Sequence, residues 1–375
     1  MYNSSTTQDE SEIQCLLALS LIAGIGPVTA RKILMEFETA TAFFSAWKRA
    51  REGVLRKGPL LEANVWPAIR HAEQEVKRAE KHNISLLGIH EADYPRRLKA
   101  CEDSPLVLFA KGRLQLNAPR VVSVVGTRNA THYGVEVTEA LVSEIHALGG
   151  SLVSGLAYGI DTAAHRAGLQ VGVQNIGVLA HGLDRVYPTS NQNLASRMEE
   201  NGGLVSDFPT QTRPDRGNFP MRNRIIAGLC DALVVVEAAE SGGALITAGF
   251  ALGYNRDVFA VPGRIGDAYA AGCNKLIRNN KAAILTTVSD LAWHLGWKTS
   301  DDTKKLSTQL SLPIAASEPE ETLLNIIRKG THELDLIAFQ AEMAVGAASA
   351  LLLSMEFKGM VKSLPGKRFE LTGSF

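Results

Sequence analysis

Short apolar runs alternate with helical segments through the middle of the chain, from about Val121 to Ile284. Runs rich in Val, Ile and Leu that end in Gly, Ser or Asn are typical of the buried strands of a parallel sheet. The runs predict strands at Val121–Val125, Ser151–Ser154, Gln174–Leu179, Gly203–Ser206, Ala232–Glu237, Asp257–Val261 and Ala283–Thr286. This alternation of strand and helix predicts an α/β fold with a Rossmann-like, doubly wound, mostly parallel sheet.

The segments before the central region carry a different pattern. From Ile13 to about His82 apolar residues recur at three- and four-residue spacing, which predicts helices joined by a turn at Gly24–Pro27. Residues 84–119 contain further apolar runs that we expect to add strands to the central sheet.

Beyond the sheet, a stretch rich in Ser, Thr, Asp and Lys predicts a flexible linker. The last zone predicts three helices and then a β-hairpin around Pro365-Gly366, which is the order of a winged helix. We therefore expect an N-terminal helical domain, a sheet domain, a linker and a winged-helix domain at 1–83, 84–298, 299–319 and 320–375.

Composition sets limits on the partners and on the compartment. The 375 residues have a formal net charge of +0, so any basic surface that attracts nucleic acid must be local. The four cysteines are scattered and form no CxxC pair, which favours a reducing cytoplasm over disulfides or a structural zinc site. The polar N-terminus is no signal peptide, and the apolar stretch Met343–Met355 is too short to cross a bilayer. We expect no membrane association.

The first candidate site residues follow the strand Val121–Val125. Gly126, Thr127 and Arg128 form a strand-to-helix turn of the kind that presents main-chain N–H groups to a phosphate, and the planar guanidinium of Arg128 suits the same ligand. No G-x-G-x-x-G motif is present, and the second strand does not end in an acidic residue, so a dinucleotide cofactor is disfavoured. An ordinary turn without a ligand is the alternative.

The second turn runs from Ser154 to Asp161. Gly155 and Gly159 permit close approach of a backbone, Ser154 offers a hydroxyl group, and Tyr158 is positioned to stack on a base. Asp161 and His165 share a helix face and could form an acid/base or metal pair. We favour the alternative that Asp161 caps the helix and His165 packs locally, since no third ligand is near in sequence. No metal is predicted.

Further turns place polar residues at the same predicted edge of the sheet. Gly182 and Tyr187 follow the third strand, and Arg222 and Arg224 lie on a later helix. Because these arginines point to different helix faces, we expect one to face a groove and the other to pair with a carboxylate such as Glu237. Ligands bind at the carboxyl edge of open α/β sheets, where all these turns meet.

These motifs, taken together, resemble one family. VVGTRNATHYG, SGLAYGIDTAAH, GVLAHGLDRVYP, FPMRNRIIAGL, VVVEAAESGGALITA and DVFAVPG…GCNKLI occur in the order found in the DNA-processing protein A (DprA/Smf) family. The resemblance covers about residues 90 to 290. It implies an extended Rossmann-like domain that binds single-stranded DNA, forms homodimers and loads RecA recombinase during natural transformation, with no catalytic activity and no cofactor.

The resemblance also indicates which residues form the DNA site. The pocket of the family maps onto Gly126–Arg128, the Ser154-Gly155 turn and the loop after Tyr187-Pro188. Many relatives carry a lysine where this chain has Thr189, which leaves Arg185, Arg222 and Arg224 as candidate replacements. The whole predicted nucleic-acid site is Gly126, Thr127, Arg128, Ser154, Gly155, Tyr158, Gly159, Gly182, Tyr187, Thr189, Asn191, Arg222 and Arg224.

The flanking zones fit the resemblance as well. The turn at Gly24–Pro27, followed by Arg31 and Lys32, resembles a phosphate-binding helix-hairpin-helix, although a turn in a protein-contact bundle is an equal alternative. The winged-helix zone holds more acidic than basic residues, and its expected recognition helix around Ala347–Met355 has no cation. Because groove binding needs phosphate-neutralising charge, we expect this zone to contact protein, or to bind DNA weakly.

Two other functions remain open at this stage. One is a nucleotide or nucleoside phosphate hydrolase that uses Glu237 or Glu240 beside the Ser241–Gly243 turn, although no acid/base pair with a supporting residue is evident. The other is a transcription regulator that acts through the winged helix, which the acidic balance of that zone disfavours. Apolar residues near the end of the sheet, Leu276, Ile277 and Leu291, are candidates for the dimer contact.

Overall fold

A large mixed sheet is the main feature of the fold. The computed structural model describes residues 4–46, 65–287, 289–297, 317–330, 333–364 and 368–371. The chain divides into two units, residues 1–299 and 300–375. In the described part of the first unit, nine strands form one sheet. The strands are β1 (Ser85–Gly88), β2 (Val107–Gly112), β3 (Val121–Val125), β4 (Ser151–Ser154), β5 (Gln174–Val178), β6 (Gly202–Ser206), β7 (Ala232–Val235), β8 (Asp257–Ala260) and β9 (Ala283–Ile284).

The strand order confirms the doubly wound prediction. It runs β1-β2-β6-β5-β4-β3-β7-β8-β9. All neighbours from β6 to β9 are parallel, and β1 and β2 join antiparallel at one edge, as the apolar runs of residues 84–119 predict. The chain builds outward from β3 in one direction through β4, β5 and β6, and then in the other through β7, β8 and β9. The strand order therefore reverses between β3 and β7, and in such sheets the crevice at that point is where ligands bind.

Helices cover both faces of this sheet. Those that follow β1 are α5 (Arg96–Lys99), α6 (His132–Ala147), α7 (Ile160–Val171), α8 (Gln192–Met198), α9 (Asn218–Leu229), α10 (Gly243–Gly253), α11 (Ala271–Arg278) and α12 (Ser289–His294). Alternate strand residues enter two separate cores, for example Val122 and Val124 in one and Val121 and Val125 in the other. This division follows from the two-residue repeat of a strand that is buried on both faces.

The N-terminal helices pack against the edge of the sheet. They are α1 (Ser4–Ser20), α2 (Pro27–Phe37), α3 (Ala40–Ser45) and α4 (Trp66–Lys81). Buried Leu16 and Phe43 belong to the same apolar core as Leu108 of β2. Arg31, a candidate phosphate contact of the hairpin turn, instead donates to the carbonyl oxygens of Lys99 and Cys101 and to Ser104 Oγ. It is therefore a structural contact between the hairpin and the sheet unit.

The second unit has the predicted winged-helix order. It contains α13 (Glu318–Arg328), α14 (Leu334–Gln340), α15 (Val345–Phe357) and a hairpin of β10 (Val361–Leu364) with β11 (Arg368–Leu371). Its own apolar core includes Leu323, Ile337 and Leu352. Ser317 and Glu320 form a capping box at the start of α13, which satisfies main-chain N–H groups that a helix end leaves unpaired.

All four cysteines are free thiols. Cys101, Cys230 and Cys273 are buried, and Cys15 is half-buried. Burial raises the pKa of the Cys230 thiol to about 11 and that of Cys273 to about 12. Burial also raises the pKa values of Cys15 and Cys101.

No single helix in the described ranges is both long and apolar enough to cross a bilayer. One bent pair, Leu334–Gln340 with Val345–Phe357, meets that criterion by length and composition only when its two helices are taken together.

Candidate nucleic-acid interface

A cleft of about 260 Å³ opens where the strand order reverses. Gly126, Thr127 and Arg128, which follow β3, form one side, and Ser241–Gly243 at the start of α10 form another. Arg222 of α9 also lines this space, which we call the switch cleft. The three residues of the first predicted turn thus lie at the point where a parallel sheet offers a ligand site.

Hydrogen bonds to Glu237 fix the turn after β3. Thr127 N–H donates to the main-chain oxygen of Glu237 at 2.8 Å, and the Glu237 carboxylate accepts from Thr131 N–H at 3.0 Å and from the Thr131 hydroxyl. Gly134 leaves room for this carboxylate, since a Cβ there would lie 2.3 Å from Glu237 Oε2. The expectation that Arg222 or Arg224 pairs with Glu237 is wrong, because Glu237 anchors the turn instead.

Arg128 is the exposed cation of the switch cleft. Its guanidinium carbon lies 5.0 Å from the centroid of the Phe219 ring. No carboxylate forms an ion pair with it in the part of the chain that the structure describes. Phe219 also contacts Tyr187, with ring centroids 6.2 Å apart. The aromatic ring positions the guanidinium and leaves its N–H groups available to a ligand.

Arg222 lies beneath the cleft and is only 4% exposed. It donates to the carbonyl oxygens of Gly155 and Val178, which ties α9 to the ends of β4 and β5. Burial lowers its pKa to about 10, and neighbouring Asp161 opposes that shift. Burial likewise raises the pKa of Asp161, with Arg222 opposing. Arg222 is thus a buried positive charge that lines the site from below.

Arg224 points away from the switch cleft. It is 4% exposed, pairs with Asp207 at 2.5 Å and donates to the carbonyl oxygen of Asp103. The expected division of roles between the two arginines is therefore present, with Asp207 as the carboxylate. This corrects the assignment of Arg224 to the nucleic-acid site, because its guanidinium is enclosed and already paired.

The second predicted turn supplies support rather than side-chain donors. The Ser154 hydroxyl is buried and donates to the Val124 carbonyl at 2.6 Å. This corrects the prediction that Ser154 contacts nucleic acid. Gly155 lies against Arg222, where a Cβ would be 2.5 Å from Nη1. Gly159 has φ +76°, and a Cβ there would be 2.2 Å from the Thr127 oxygen. Glycine is therefore required where α7 meets the first turn.

Asp161 and His165 are structural residues. The helix cap is Gly159, so the expected capping role of Asp161 is wrong; its carboxylate accepts from Ala157 N–H at 3.4 Å. The expected packing of His165 is confirmed: it is buried, with Nδ1 2.5 Å from Asn175 Oδ1, and burial lowers its pKa to about 4. Among the described residues, no group of three or more His, Cys, Asp or Glu side chains could hold a metal ion.

The predicted site residues in the loops after β5 include both buried residues and an exposed one. Gly182 is buried and its N–H donates to the Thr212 carbonyl at 3.2 Å, which corrects its predicted role as a strand-facing amide. Asn191 is buried and its amide donates to Leu156 O and Thr162 Oγ1. Thr189 is exposed at the start of a single 3-10 turn.

Two further depressions adjoin the switch cleft at Arg128, which lines all three. The tyrosine pocket is formed by Tyr158, Tyr187, Pro188, Phe219, Arg222 and the Gly155 backbone. The helix groove is formed by one face of α7 with Ser190 and Asn191. The predicted residues that line at least one of the three are Gly126, Thr127, Arg128, Gly155, Tyr158, Gly159, Tyr187, Asn191 and Arg222. Those that line none of them are Ser154, Gly182, Thr189 and Arg224.

Sequence reasoning missed two residues of this surface. Phe219 was part of a noted motif, but nothing in one sequence places its ring under Arg128. Arg166 lines the helix groove, and the spacing of residues along the sequence could have predicted its position. It follows Gly159, Thr162 and Ala163 at helical spacing, so these residues share one face of α7.

Comparison with known proteins gives the family. Residues 85–296 match the family described as DNA recombination-mediator protein A, and residues 308–367 match the DprA winged-helix domain. The chain belongs to the DNA recombination-mediator protein A family. The resemblance drawn from the sequence motifs is confirmed, and so is the winged-helix assignment.

Relatives match over most of the chain. Protein Smf from Synechocystis sp. is 33% identical over 398 aligned residues, which cover 96% of this chain and 99% of that protein. DNA processing protein DprA from Bacillus subtilis is 44% identical over 205 residues, which cover 54% of this chain and 69% of that protein.

Solved structures of family members share the sheet architecture. The X-ray structure of DprA from Streptococcus pneumoniae superposes with a TM-score of 0.57 at 32% identity and covers 71% of this chain and 97% of that one. DNA processing protein A from Helicobacter pylori, a structure concerned with its single-stranded DNA binding mode, gives a TM-score of 0.52 at 27% identity. That match covers 56% of this chain and 95% of the other.

Proposed function

We propose that this chain binds single-stranded DNA along the carboxyl edge of its sheet and performs no chemistry on it. The observation that carries the proposal is Arg128, an exposed guanidinium held over the Phe219 ring at the switch cleft. An unpaired, oriented guanidinium is a strong phosphate ligand, because its N–H groups match the phosphate oxygens. The DNA-binding relative from H. pylori supports the same polymer as ligand.

Aromatic side chains around Arg128 favour a single strand over a duplex. Tyr158 and Tyr187 are 49% and 43% exposed, and both line the tyrosine pocket with Phe219. Bases that are not paired can stack on such rings, and each stack contributes about 1–3 kcal/mol. Bases inside a duplex are already stacked and cannot reach them. We therefore propose that a base stacks on the exposed ring of Tyr158 or Tyr187 at the tyrosine pocket while Arg128 holds the adjoining phosphate.

The hydrolase alternative has little support from the site. Glu237, its first candidate catalytic residue, is buried and accepts two hydrogen bonds from Thr131. Glu240, the second, is exposed beside the Ser241–Gly243 turn but has no acid/base partner in the described residues. A general acid or base needs a partner and a positioned substrate atom.

The homodimer and the delivery of DNA to RecA recombinase are further parts of the proposal, and family membership supports them. The apolar residues expected to make the dimer contact need correction, because Leu276 and Leu291 are buried in the two cores. Exposed Ile284 of the edge strand β9 and Trp293 of α12 are better candidates. An edge strand with free hydrogen-bonding groups can pair with a second copy.

We propose that the winged helix contacts protein rather than DNA. Its α15 exposes Leu353 and Phe357, the latter at 85% of its surface, and α14 exposes Phe339. No Lys or Arg lies within α15. An exposed apolar face fits a protein partner, whereas a DNA groove requires cations.

A binding assay across salt concentrations tests the central proposal. Fluorescence anisotropy with an oligothymidylate and with a matched duplex should show preference for the single strand. Arg128→Ala should weaken binding. It should also make the negative slope of log K against log salt shallower by about 0.7, the change expected for the loss of one phosphate contact on a single strand. Arg113→Ala is the control, because Arg113 is exposed next to β2 at the opposite edge of the sheet. Equal affinity of Arg128→Ala and the unmodified chain would refute the site.

A further inference from the structure

The helix groove extends the surface away from the switch cleft. Arg128 and Tyr158 stand at its near end, and its floor is one face of α7, with Gly159, Ala163 and Arg166. The space measures about 480 Å³, nearly twice the switch cleft of about 260 Å³. Because Arg128 lines both, the groove and the switch cleft adjoin at this residue, and a polymer held by Arg128 in the cleft lies beside the groove.

Arg166 is an exposed cation on this face, about two helical turns beyond Gly159. In the described parts of the chain it has neither an ion pair nor a side-chain hydrogen bond, unlike Arg222 and Arg224, whose guanidinium groups bond to carbonyl oxygens of the scaffold. The residues before it on the same face are small, so the groove floor is open to a ligand. Such a guanidinium keeps its donors for an external anion.

The length of α7 separates the two cations by more than one nucleotide step. Gly159 touches the backbone of Thr127 and Arg128, so it marks the position of the first turn. Helix rise places Arg166 about 10 Å further along the α7 axis. Successive phosphates of one B-DNA strand advance by only about 3.4 Å. Arg166 and Arg128 are therefore placed for different phosphates of one strand.

We propose that the helix groove is a second subsite for single-stranded DNA, in which Arg166 binds a phosphate beyond the one held by Arg128. The inference rests on the proposed function and deepens it. Ser190 and Asn191 line the same groove, next to Thr189, the position at which the family resemblance implies a lysine in many relatives. Among the described residues Arg166 has no ion pair, whereas the candidate replacements Arg185 and Arg224 are paired with Asp184 and Asp207.

One carboxylate opposes the strand in this groove. Glu139 of α6 is exposed on the groove wall, together with Asn129 and Gln170. A carboxylate beside a phosphate path repels the polymer, so the subsite holds its ligand with two cations against one anion. Removing the Arg166 charge should therefore lower the affinity, and removing the Glu139 charge should raise it.

Oligothymidylates of increasing length test the subsite on the full-length chain. Arg166→Ala should weaken binding of long oligomers about two- to fivefold, the range for one exposed ion contact, and lower the salt slope by about 0.7. For the shortest oligomer that still binds, Arg166→Ala and the unmodified chain should have equal affinity. Arg166→Lys should retain most of the affinity, and Glu139→Gln should increase it for long oligomers only. Arg113→Ala again serves as the matched control.

The outcomes separate this inference from the proposed function. If Arg128→Ala loses binding while Arg166→Ala and Glu139→Gln leave every length unchanged, the subsite is refuted and the main site stands. If no variant, including Arg128→Ala, changes affinity, the proposed function fails. A loss that is equal at all lengths would also overturn the subsite, and thermal melting checks that each variant folds.

Discussion

Individual arginines at this sheet edge differ in what their guanidinium groups bond to. Arg222 and Arg224 are buried and donate hydrogen bonds to carbonyl oxygens. A buried cation needs such bonds because they offset the cost of its desolvation. Arg128 is exposed, and its guanidinium lies over the Phe219 ring without an ion pair among the described residues. The ligand-binding capacity of the site therefore depends on a residue that the fold itself does not need.

Phe219→Leu tests the ring contact under Arg128. Leucine keeps most of the apolar volume but removes the cation–π attraction, which contributes about 0.5–1 kcal/mol at exposed sites. We expect single-strand affinity to fall by a few fold and the melting temperature to change little. Anisotropy and a thermal melt measure both. An affinity as low as that of Arg128→Ala would instead indicate that Phe219 contacts DNA directly.

Buried His165 predicts a pH dependence of stability. Burial lowers its pKa to about 4, against an ordinary value of 6.5, so the unfolded chain binds a proton more readily than the folded one. The free energy of unfolding should fall as the pH drops from about 6.5 to about 4, by about 3 kcal/mol for this group. His165→Gln should flatten this part of the curve, apart from contributions of His90 and His181, whose pKa values burial also lowers.

Chemical denaturation at several pH values measures this dependence. His146→Gln is the matched control, because His146 lies exposed in the last turn of α6. If His165→Gln keeps the full slope between these pH values, the burial of a neutral His165 is not its cause.

At the scale of elements, the turn after β3 depends on an anchor from β7. Glu237 follows β7 and binds Thr131 at the start of α6, and Gly134 leaves the space for its carboxylate. The two strands on either side of the reversal in strand order are thereby joined by a side chain. The position of Arg128 follows from this joint.

Gly134→Ala should disrupt the anchor. A Cβ at Gly134 would overlap the Glu237 carboxylate, so we expect a loss of about 1–3 kcal/mol in unfolding free energy, together with weaker DNA binding. Gly249→Ala in α10 is the matched control, since a Cβ there meets nothing within 4 Å. That change should instead stabilise the helix by about 0.5–1 kcal/mol. Denaturant melts of both variants compare the two effects.

Strands and helices were predictable from the sequence, and the pairing of side chains was not. Apolar runs fix where β3 to β9 lie because burial on both faces leaves a local signature. Partners such as Arg222 and the Gly155 carbonyl are 67 residues apart, and only the folded sheet brings them together. The glycines at Gly182 and Gly155 looked alike as turn residues, yet one amide is bonded internally while the other residue lines the tyrosine pocket.

For the whole molecule, the two units have separate apolar cores. The proposed DNA surface lies within residues 1–299, and none of its residues comes from the second unit. Formal charge of +0 gives no long-range attraction, so affinity must come from contacts at this surface.

Deleting residues 317–375 should therefore leave single-strand affinity within about twofold of the full-length value, a change of less than about 0.5 kcal/mol. The truncated chain should still melt cooperatively, because its core is intact. Anisotropy and calorimetry on both lengths provide the comparison. Complete loss of binding on truncation would show that the winged helix contributes to the DNA surface.

The burial of three of the four thiols makes this chain convenient for spectroscopy. Maleimides react with thiolates, and burial keeps Cys101, Cys230 and Cys273 protonated and inaccessible near neutral pH. A cysteine introduced by Thr189→Cys would stand exposed beside the strand path and should take up dye well before the native ones. A fluorophore there would report arrival of a strand in real time, without first removing any natural cysteine.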